Sequence, residues 1–174
     1  MRGIMMAVAL AAAGWALPAA AQDQIVDAAY PEKFAEVLQQ EGYKAALKKD
    51  KEGKPYIDSA ANGESFTVSF FGCDPVRGCD SAQFYTWHKK QPWFDAALAN
   101  RWNDDKRFLK VSIDNDGDLS VFMDASLKGK LTYSNLADII DWWSVMTADL
   151  GKFIDEEAKK AEEATKPAAA PAKK

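Results

Sequence analysis

Residues 108–123 read FLKVSIDNDGDLSVFM, two runs of alternating apolar and polar residues on either side of a turn sequence. The apolar positions of the two runs are Leu109, Val111, Ile113, Leu119, Val121 and Met123. Alternate residues of a strand lie on the same face, so each run has one apolar face. Asn115-Asp116-Gly117 between the runs is typical of a hairpin turn, because its residues tolerate the positive φ angles that such turns require. The stretch predicts an antiparallel hairpin with one buried face.

The segments before this hairpin carry the same kind of pattern. Phe66–Phe71 has apolar residues at alternate positions, and Asn62-Gly63 just before it favours a hairpin with Pro55–Ala60. Two further short strands are predicted over residues 43–48 and 83–87. Together with residues 108–123, these segments predict an antiparallel sheet of five to six strands.

Three amphipathic helices accompany the predicted strands. The first spans Pro31–Glu41, since proline begins helices and Gly42 follows it. The second is predicted over Trp93–Trp102, and the third, a long C-terminal helix, over Thr132–Ile154. Helices with one apolar stripe must bury it against the sheet, so we expect an α+β fold with helices covering one sheet face.

The two ends of the chain fall outside this pattern. A positively charged start, an apolar run and a small-residue cleavage site before Gln22 predict a signal peptide over residues 1–21, cleaved on export to the periplasm. Residues 22–30 form a lead-in and residues 31–155 the α+β domain. Residues 156–174, rich in charge, alanine and proline, are predicted to be a disordered tail.

Charge and hydropathy exclude several classes of function. The formal net charge is −4, which gives no electrostatic reason to bind nucleic acid. The apolar run at the start is shorter than the roughly 18 to 20 residues that span a bilayer, which favours a cleaved signal over an uncleaved anchor. No long apolar stretch follows it, so the mature form is not expected to be membrane-embedded.

The chain has two cysteines, Cys73 and Cys79. In an oxidising compartment an even pair at this distance predicts a disulfide that staples the loop between two strands. A redox-active pair would more usually have the Cys-x-x-Cys spacing. A zinc site would need more ligands, and the sequence contains a single histidine, His88.

Several stretches together resemble the YbjN family, described as bacterial sensory transduction regulators. They are Gly42-Tyr43-Lys44, Phe66–Cys73, Trp102–Phe108, Asp114–Asp118 with Met123-Asp124, and Asn135-Leu136 before the paired tryptophans. The resemblance covers residues 31–154. It implies a fold like that of the type III secretion chaperones, an antiparallel sheet packed against helices, in proteins that are often dimers and bind other proteins.

The acids of the central hairpin suggest a cation site. Asp114, Asp116 and Asp118 alternate as at the start of a calcium-binding EF-hand loop. However, Leu119 stands where that loop needs glycine and Ala125 where it needs glutamate. A solvated hairpin tip is the preferred interpretation, and no metal or other cofactor is expected.

Two groups of residues are candidates for an interface. Lys106 and Arg107 could bind an acidic group of a partner; alternatively they form local ion pairs at a helix-to-strand corner, with Asn103 ending the helix. Trp142, with Val145, lies beside the apolar stripe of the last helix, so it covers the sheet or contacts a partner, for example a second copy in a homodimer. His88 has no nucleophile motif near it and is not expected to be catalytic.

The favoured function is therefore an exported, non-catalytic binding or regulatory domain that recognises a protein or peptide partner. The alternative is a periplasmic hydrolase with a carboxylate-based site. A deep pocket with convergent carboxylates of perturbed pKa would favour the enzyme.

Overall fold

The computed structural model describes residues 23–166. These residues form an α+β fold, which confirms the predicted fold class. The predicted signal peptide and its cleavage point before Gln22 lie outside the described residues, as does the end of the predicted tail, residues 167–174.

Six strands form one antiparallel sheet, and two short strands pair separately near the N-terminus. The sheet contains β2 (Ala45–Lys49), β3 (Pro55–Ala61), β4 (Glu64–Phe71), β5 (Ser81–His88), β6 (Lys110–Ile113) and β7 (Leu119–Ser126). Their order across the sheet is β2-β3-β4-β5-β7-β6. The separate pair is β1 (Ile25–Val26) with β8 (Leu131–Thr132). The predicted hairpins at Asn62-Gly63 and at residues 114–118 are confirmed by the β3–β4 and β6–β7 pairings.

The helices α1 (Pro31–Gln40), α2 (Ala96–Asp105) and α3 (Tyr133–Thr165) contribute to one core. Alternate strand residues such as Ile57, Val68 and Phe84 are buried and share this core with the helices. Trp143 of α3 lies in the middle, with its ring centroid 5.4 Å from those of both Phe66 and Phe84. We call the opposite side of the sheet the open face, because its side chains, including Thr67 and Tyr85, are partly exposed.

The cysteines form the predicted disulfide, in the loop between β4 and β5. The loop is also held by hydrogen bonds. The Asp74 carboxylate accepts from the N–H groups of Val76 and Arg77, and these bonds lower the pKa of Asp74. The loop in turn fixes the lead-in to α1: the Tyr30 hydroxyl donates to the Val76 carbonyl (2.6 Å), and the Cys79 N–H donates to the Ala29 carbonyl (2.7 Å).

The position of α2 differs from the sequence prediction, which placed the helix over Trp93–Trp102. The helix begins after Asp95, whose carboxylate accepts a hydrogen bond from the N–H of Leu98 (2.7 Å). An aspartate cap of this kind sets the first turn, because it satisfies an N–H that has no partner within the helix. The spacing of apolar residues does not reveal such a cap. The predicted helix therefore began and ended about three residues too early.

The last helix is longer than predicted. Residues 156–165, expected to belong to a disordered tail, continue α3 as helix. The reason is Glu157, which is buried and forms ion pairs with Arg101 of α2 and with Lys160. The hydrogen bond from Lys160, together with that from Arg101, lowers the pKa of Glu157 against the desolvation that raises it. A paired carboxylate anchors this end of α3 to α2.

Candidate functional site

The segment Trp102–Phe108, the most specific part of the sequence resemblance, forms the corner between α2 and β6. Trp102 is buried, and its indole N–H donates to the carbonyl of Leu109 (3.1 Å). The Asn103 side-chain amide both donates to the carbonyl of Val111 (2.9 Å) and accepts from its N–H (3.0 Å). The Lys110 ammonium donates to the carbonyls of Asn103 and Lys106 at the end of the helix. The motif therefore fixes how the helix end meets the strand.

Phe108 stands at this corner in an unusual backbone conformation. Its φ angle is 60°, in the left-handed region. A bulky non-glycine residue is rarely found there, because its Cβ crowds the following carbonyl at a cost of roughly 1 to 2 kcal/mol. Its ring is not buried in return, since Phe108 is 45% exposed. Residues held in such strained backbone conformations concentrate at active sites, ligand clamps and switch regions.

Phe108 meets Trp142 of α3 at the surface. Their ring centroids lie 4.7 Å apart, and Trp142 is 37% exposed. Val145, one helical turn further along α3, is 45% exposed. We call Phe108, Trp142 and Val145 the aromatic patch. The predicted interface residues of α3 thus form a surface together with a residue that the sequence analysis did not single out.

The side chains of Lys106 and Arg107 make different contacts. The Lys106 ammonium lies 3.4 Å from the Asp105 carboxylate and 3.9 Å from that of Asp149, and 5.7 Å from the centroid of the Trp102 ring. For Lys106 these contacts agree with the alternative interpretation, in which the residue forms local ion pairs at the helix-to-strand corner. The Arg107 guanidinium instead lies 4.9 Å from the centroid of the Phe108 ring and forms no ion pair with any residue between 23 and 166. Arg107 therefore belongs with the aromatic patch.

Carboxylates surround the patch along α3. Asp138 and Asp141, four residues and one residue before Trp142, are exposed. Neither forms an ion pair within the part of the chain that the structure describes. Asp149, on the other side of Val145, is paired with Lys106 and Lys152. The side of the patch nearest the start of α3 thus carries uncompensated negative charge.

Comparison with known protein families identifies a relationship over most of the chain. The model of the YbjN family, described as "Putative bacterial sensory transduction regulator", matches residues 30–156. The chain belongs to the YbjN family. No curated protein and no solved structure matches the chain, so the expected likeness to type III secretion chaperones stays a prediction.

The acidic residues of the β6–β7 hairpin in this YbjN chain stabilise its turn through hydrogen bonds. One oxygen of Asp114 accepts from the N–H groups of Asp116 and Asp118, both at 2.9 Å. Asp118 accepts from the N–H of Lys90 (2.8 Å). Within residues 23–166 no group of three His, Cys, Asp or Glu side chains could hold a metal ion. The arrangement matches a hydrogen-bonded hairpin tip.

The other carboxylates with shifted pKa values among residues 23–166 lie apart from one another, at separate places in the fold. Hydrogen bonds lower the pKa of Asp23, chiefly from Thr132, of Asp74, chiefly from Val76, and of Glu157, chiefly from Lys160. A hydrolytic acid needs the opposite shift, a pKa raised towards neutrality. His88 lies 3.8 Å from Glu64. No observation on the described residues therefore favours the hydrolase.

No helix among the described residues has the length and apolar content to cross a membrane.

Replacing Phe108 tests whether its backbone is strained. Phe108→Gly and Phe108→Ala both remove the ring, but only glycine adopts a positive φ freely. We therefore expect the glycine variant to exceed the alanine variant in free energy of unfolding by about 1 kcal/mol. Urea denaturation followed by far-ultraviolet circular dichroism measures the difference. Equal stabilities would show that position 108 is not held at a positive φ in solution.

Proposed function

We propose that this YbjN protein is an exported, non-catalytic binding or regulatory domain, and that the aromatic patch with Arg107 contacts its protein or peptide partner. The observation that carries the proposal is Phe108. Its backbone is held in a costly conformation, yet its ring is presented to solvent against Trp142 rather than buried. A partner that covers both rings supplies the burial that the free domain lacks.

The energetics of association support this surface. Covering a large apolar side chain contributes on the order of 2 kcal/mol. Tryptophan and arginine are enriched among the few residues that carry most of the binding free energy at protein interfaces. The patch combines Trp142, which lies on α3, with Arg107 and Phe108 of the α2–β6 corner, whose backbone is fixed by the hydrogen bonds of Trp102, Asn103 and Lys110. Such preorganisation reduces the entropy lost on binding.

Charge specifies the chemistry of the partner. The exposed carboxylates of Asp138 and Asp141 lie beside Trp142 and have no cationic side chain opposite them within residues 23–166. A partner segment with an apolar anchor followed by basic residues would fill the patch and pair these carboxylates. Electrostatic complementarity of this kind speeds association.

The periplasm is the proposed location. The support is the sequence pattern of residues 1–21 together with the disulfide, which forms and persists in oxidising compartments. The mature chain would begin at Gln22.

Site-specific photocrosslinking tests the proposal. Benzoyl-phenylalanine placed at Val145 reports on the patch, and the same residue at Lys51, in the exposed turn between β2 and β3, is the matched control. We expect an adduct in the periplasmic fraction from position 145 only, and its loss when Trp142→Ala or Asp141→Lys is added. The intact mass of the uncrosslinked protein should correspond to a chain beginning at Gln22.

The other outcomes are equally informative. Adducts of equal yield at positions 145 and 51, or an adduct that both added substitutions leave unchanged, would contradict binding through the patch. An adduct of twice the mature mass would identify the occupant as a second copy, the homodimer considered from the sequence. A mass that includes residues 1–21 would contradict the proposed cleavage.

A further inference from the structure

The open face of the sheet carries a groove that the aromatic patch does not involve. It lies across β3, β4 and β5 and has a volume of about 740 Å³. Ligand sites typically measure roughly 300 to 1,000 Å³. Ser65 and Thr67 of the central strand β4 lie along its middle, with Tyr85 and Trp87 of β5 on one side and Asp58 of β3 on the other.

Trp87 is the most unusual residue of this groove. It is 52% exposed although it lies in the interior of a six-stranded sheet. The strand register explains the exposure. Trp87 pairs with Ser120 on β7, and the β4–β5 register, in which Thr67 pairs with Tyr85, brings Ser65 opposite Trp87. Small neighbours on both sides leave the indole uncovered. An indole left in water forgoes the free energy of burying its apolar surface, which a bound ligand would supply.

Tyr85 extends the aromatic surface along the same strand. It stands two residues before Trp87, so the two side chains project from the same face, and their Cα atoms are about 6.6 Å apart along the strand. The Tyr85 hydroxyl lies within 3.3 Å of the Ser120 hydroxyl, which fixes the ring. Two ordered aromatic side chains in line form a platform for flat, repeating units.

The polar groups of the groove define the ligand further. The hydroxyls of Ser65 and Thr67 can donate and accept hydrogen bonds. The charged side chains of the lining are Lys44, Asp58 and Glu64, with His88 3.8 Å from Glu64 at one end. Two carboxylates against one lysine leave the lining without an excess of positive charge. An anionic ligand would therefore be disfavoured. A purely apolar ligand would leave the hydroxyls unsatisfied, which costs free energy.

We propose that the groove binds a neutral oligosaccharide. The C–H face of a pyranose ring packs on an exposed indole, while its hydroxyls hydrogen-bond to serine, threonine and aspartate side chains. Adjacent sugar units would contact Trp87 and Tyr85 in turn. This site lies on the sheet layer, away from the helical aromatic patch, and it does not depend on the proposed partner surface.

Isothermal titration calorimetry of the full mature protein tests the assignment, with maltotriose, cellotriose and triacetylchitotriose as ligands and pyrophosphate as the anionic contrast. We expect binding of at least one trisaccharide and none of pyrophosphate. Trp87→Ala should weaken that binding by at least about tenfold, the loss typical of a central aromatic contact. Thr67→Val, which removes one hydroxyl at nearly constant shape, should weaken it as well, whereas Trp142→Ala should leave it unchanged.

Two results would overturn the proposal. One is the absence of binding for all three trisaccharides at millimolar concentration while circular dichroism shows a folded protein. The other is binding that survives Trp87→Ala undiminished, or a preference for pyrophosphate. Because Trp142→Ala addresses the partner surface alone, failure at the groove and failure at the patch are distinguishable.

Discussion

Trp102→Ala should lower the free energy of unfolding by about 3 to 5 kcal/mol, the usual cost of emptying a large aromatic site in a core. Trp102 is 1% exposed, and its ring centroid lies 5.5 Å from that of Phe153 in α3. Its indole N–H also satisfies the Leu109 carbonyl at the start of β6. The substitution removes both the packing between α2 and α3 and the hydrogen bond that fixes the corner. Domains of this size are stable by only roughly 5 to 15 kcal/mol, so the loss is a large share.

Two matched variants separate the contributions of Trp102. Trp102→Phe retains most of the apolar volume but leaves the Leu109 carbonyl without its donor, so we expect a smaller loss of about 1 to 3 kcal/mol. Trp142→Ala removes an exposed ring with one aromatic neighbour and should cost at most about 1.5 kcal/mol. Chemical denaturation followed by far-ultraviolet circular dichroism suits all three proteins, since it does not depend on tryptophan emission. Similar losses at positions 102 and 142 would contradict this description of the core.

Gly78→Ala should be the most damaging single-methyl change in the disulfide loop, with a loss of about 2 to 4 kcal/mol. Gly78 has a φ angle of 75°, which alanine adopts only with strain. A Cβ at this position would also lie 2.7 Å from the carbonyl oxygen of Ala29, a backbone atom that cannot rotate away. The same oxygen accepts the hydrogen bond from Cys79, so the change disturbs the attachment of the lead-in as well.

Gly42→Ala provides the control for the Gly78 prediction. Its φ angle is 87°, but nothing lies within 4 Å of the added Cβ. Only the conformational cost remains, about 1 kcal/mol. Urea midpoints measured under oxidising conditions for both variants give the comparison. If the two substitutions cost the same, the close approach of the loop to Ala29 does not exist in solution.

The sheet could be predicted from the sequence because its signals are local. Alternating residues such as Val111 and Val121, and turn residues such as Asn62-Gly63, determine strand and hairpin within a few positions. The end of α3 could not be predicted in this way. Glu157 and Arg101 are 56 positions apart, so the composition of residues 156–165 gives no sign of the ion pair between them. That composition shows only that the segment is rich in charged residues and alanine.

The residues of the candidate sites likewise divide into those that the local sequence predicts and those that depend on distant parts of the chain. Trp142 and Val145 could be recognised because they fall beside the apolar stripe of one helix. Phe108 could not, because its apolar side chain suits either a strand or a surface, and only the left-handed backbone at the corner exposes it. Asn103, interpreted from the sequence as ending a helix, bonds instead to a strand residue eight positions away. The groove likewise depends on the register of three strands, which no single segment determines.

The amide of Asn103 has a further consequence for how this protein can associate. Val111 lies in β6, the last strand of the sheet, and the backbone groups that Asn103 occupies face away from β7. At the other end, β2 presents Lys48 and Lys49. Unpaired groups at a sheet edge are templates for the addition of strands from other chains, and lysines or a covering side chain prevent this. These features protect both ends of the sheet against the addition of strands from other chains, which favours association through side chains over extension of the sheet.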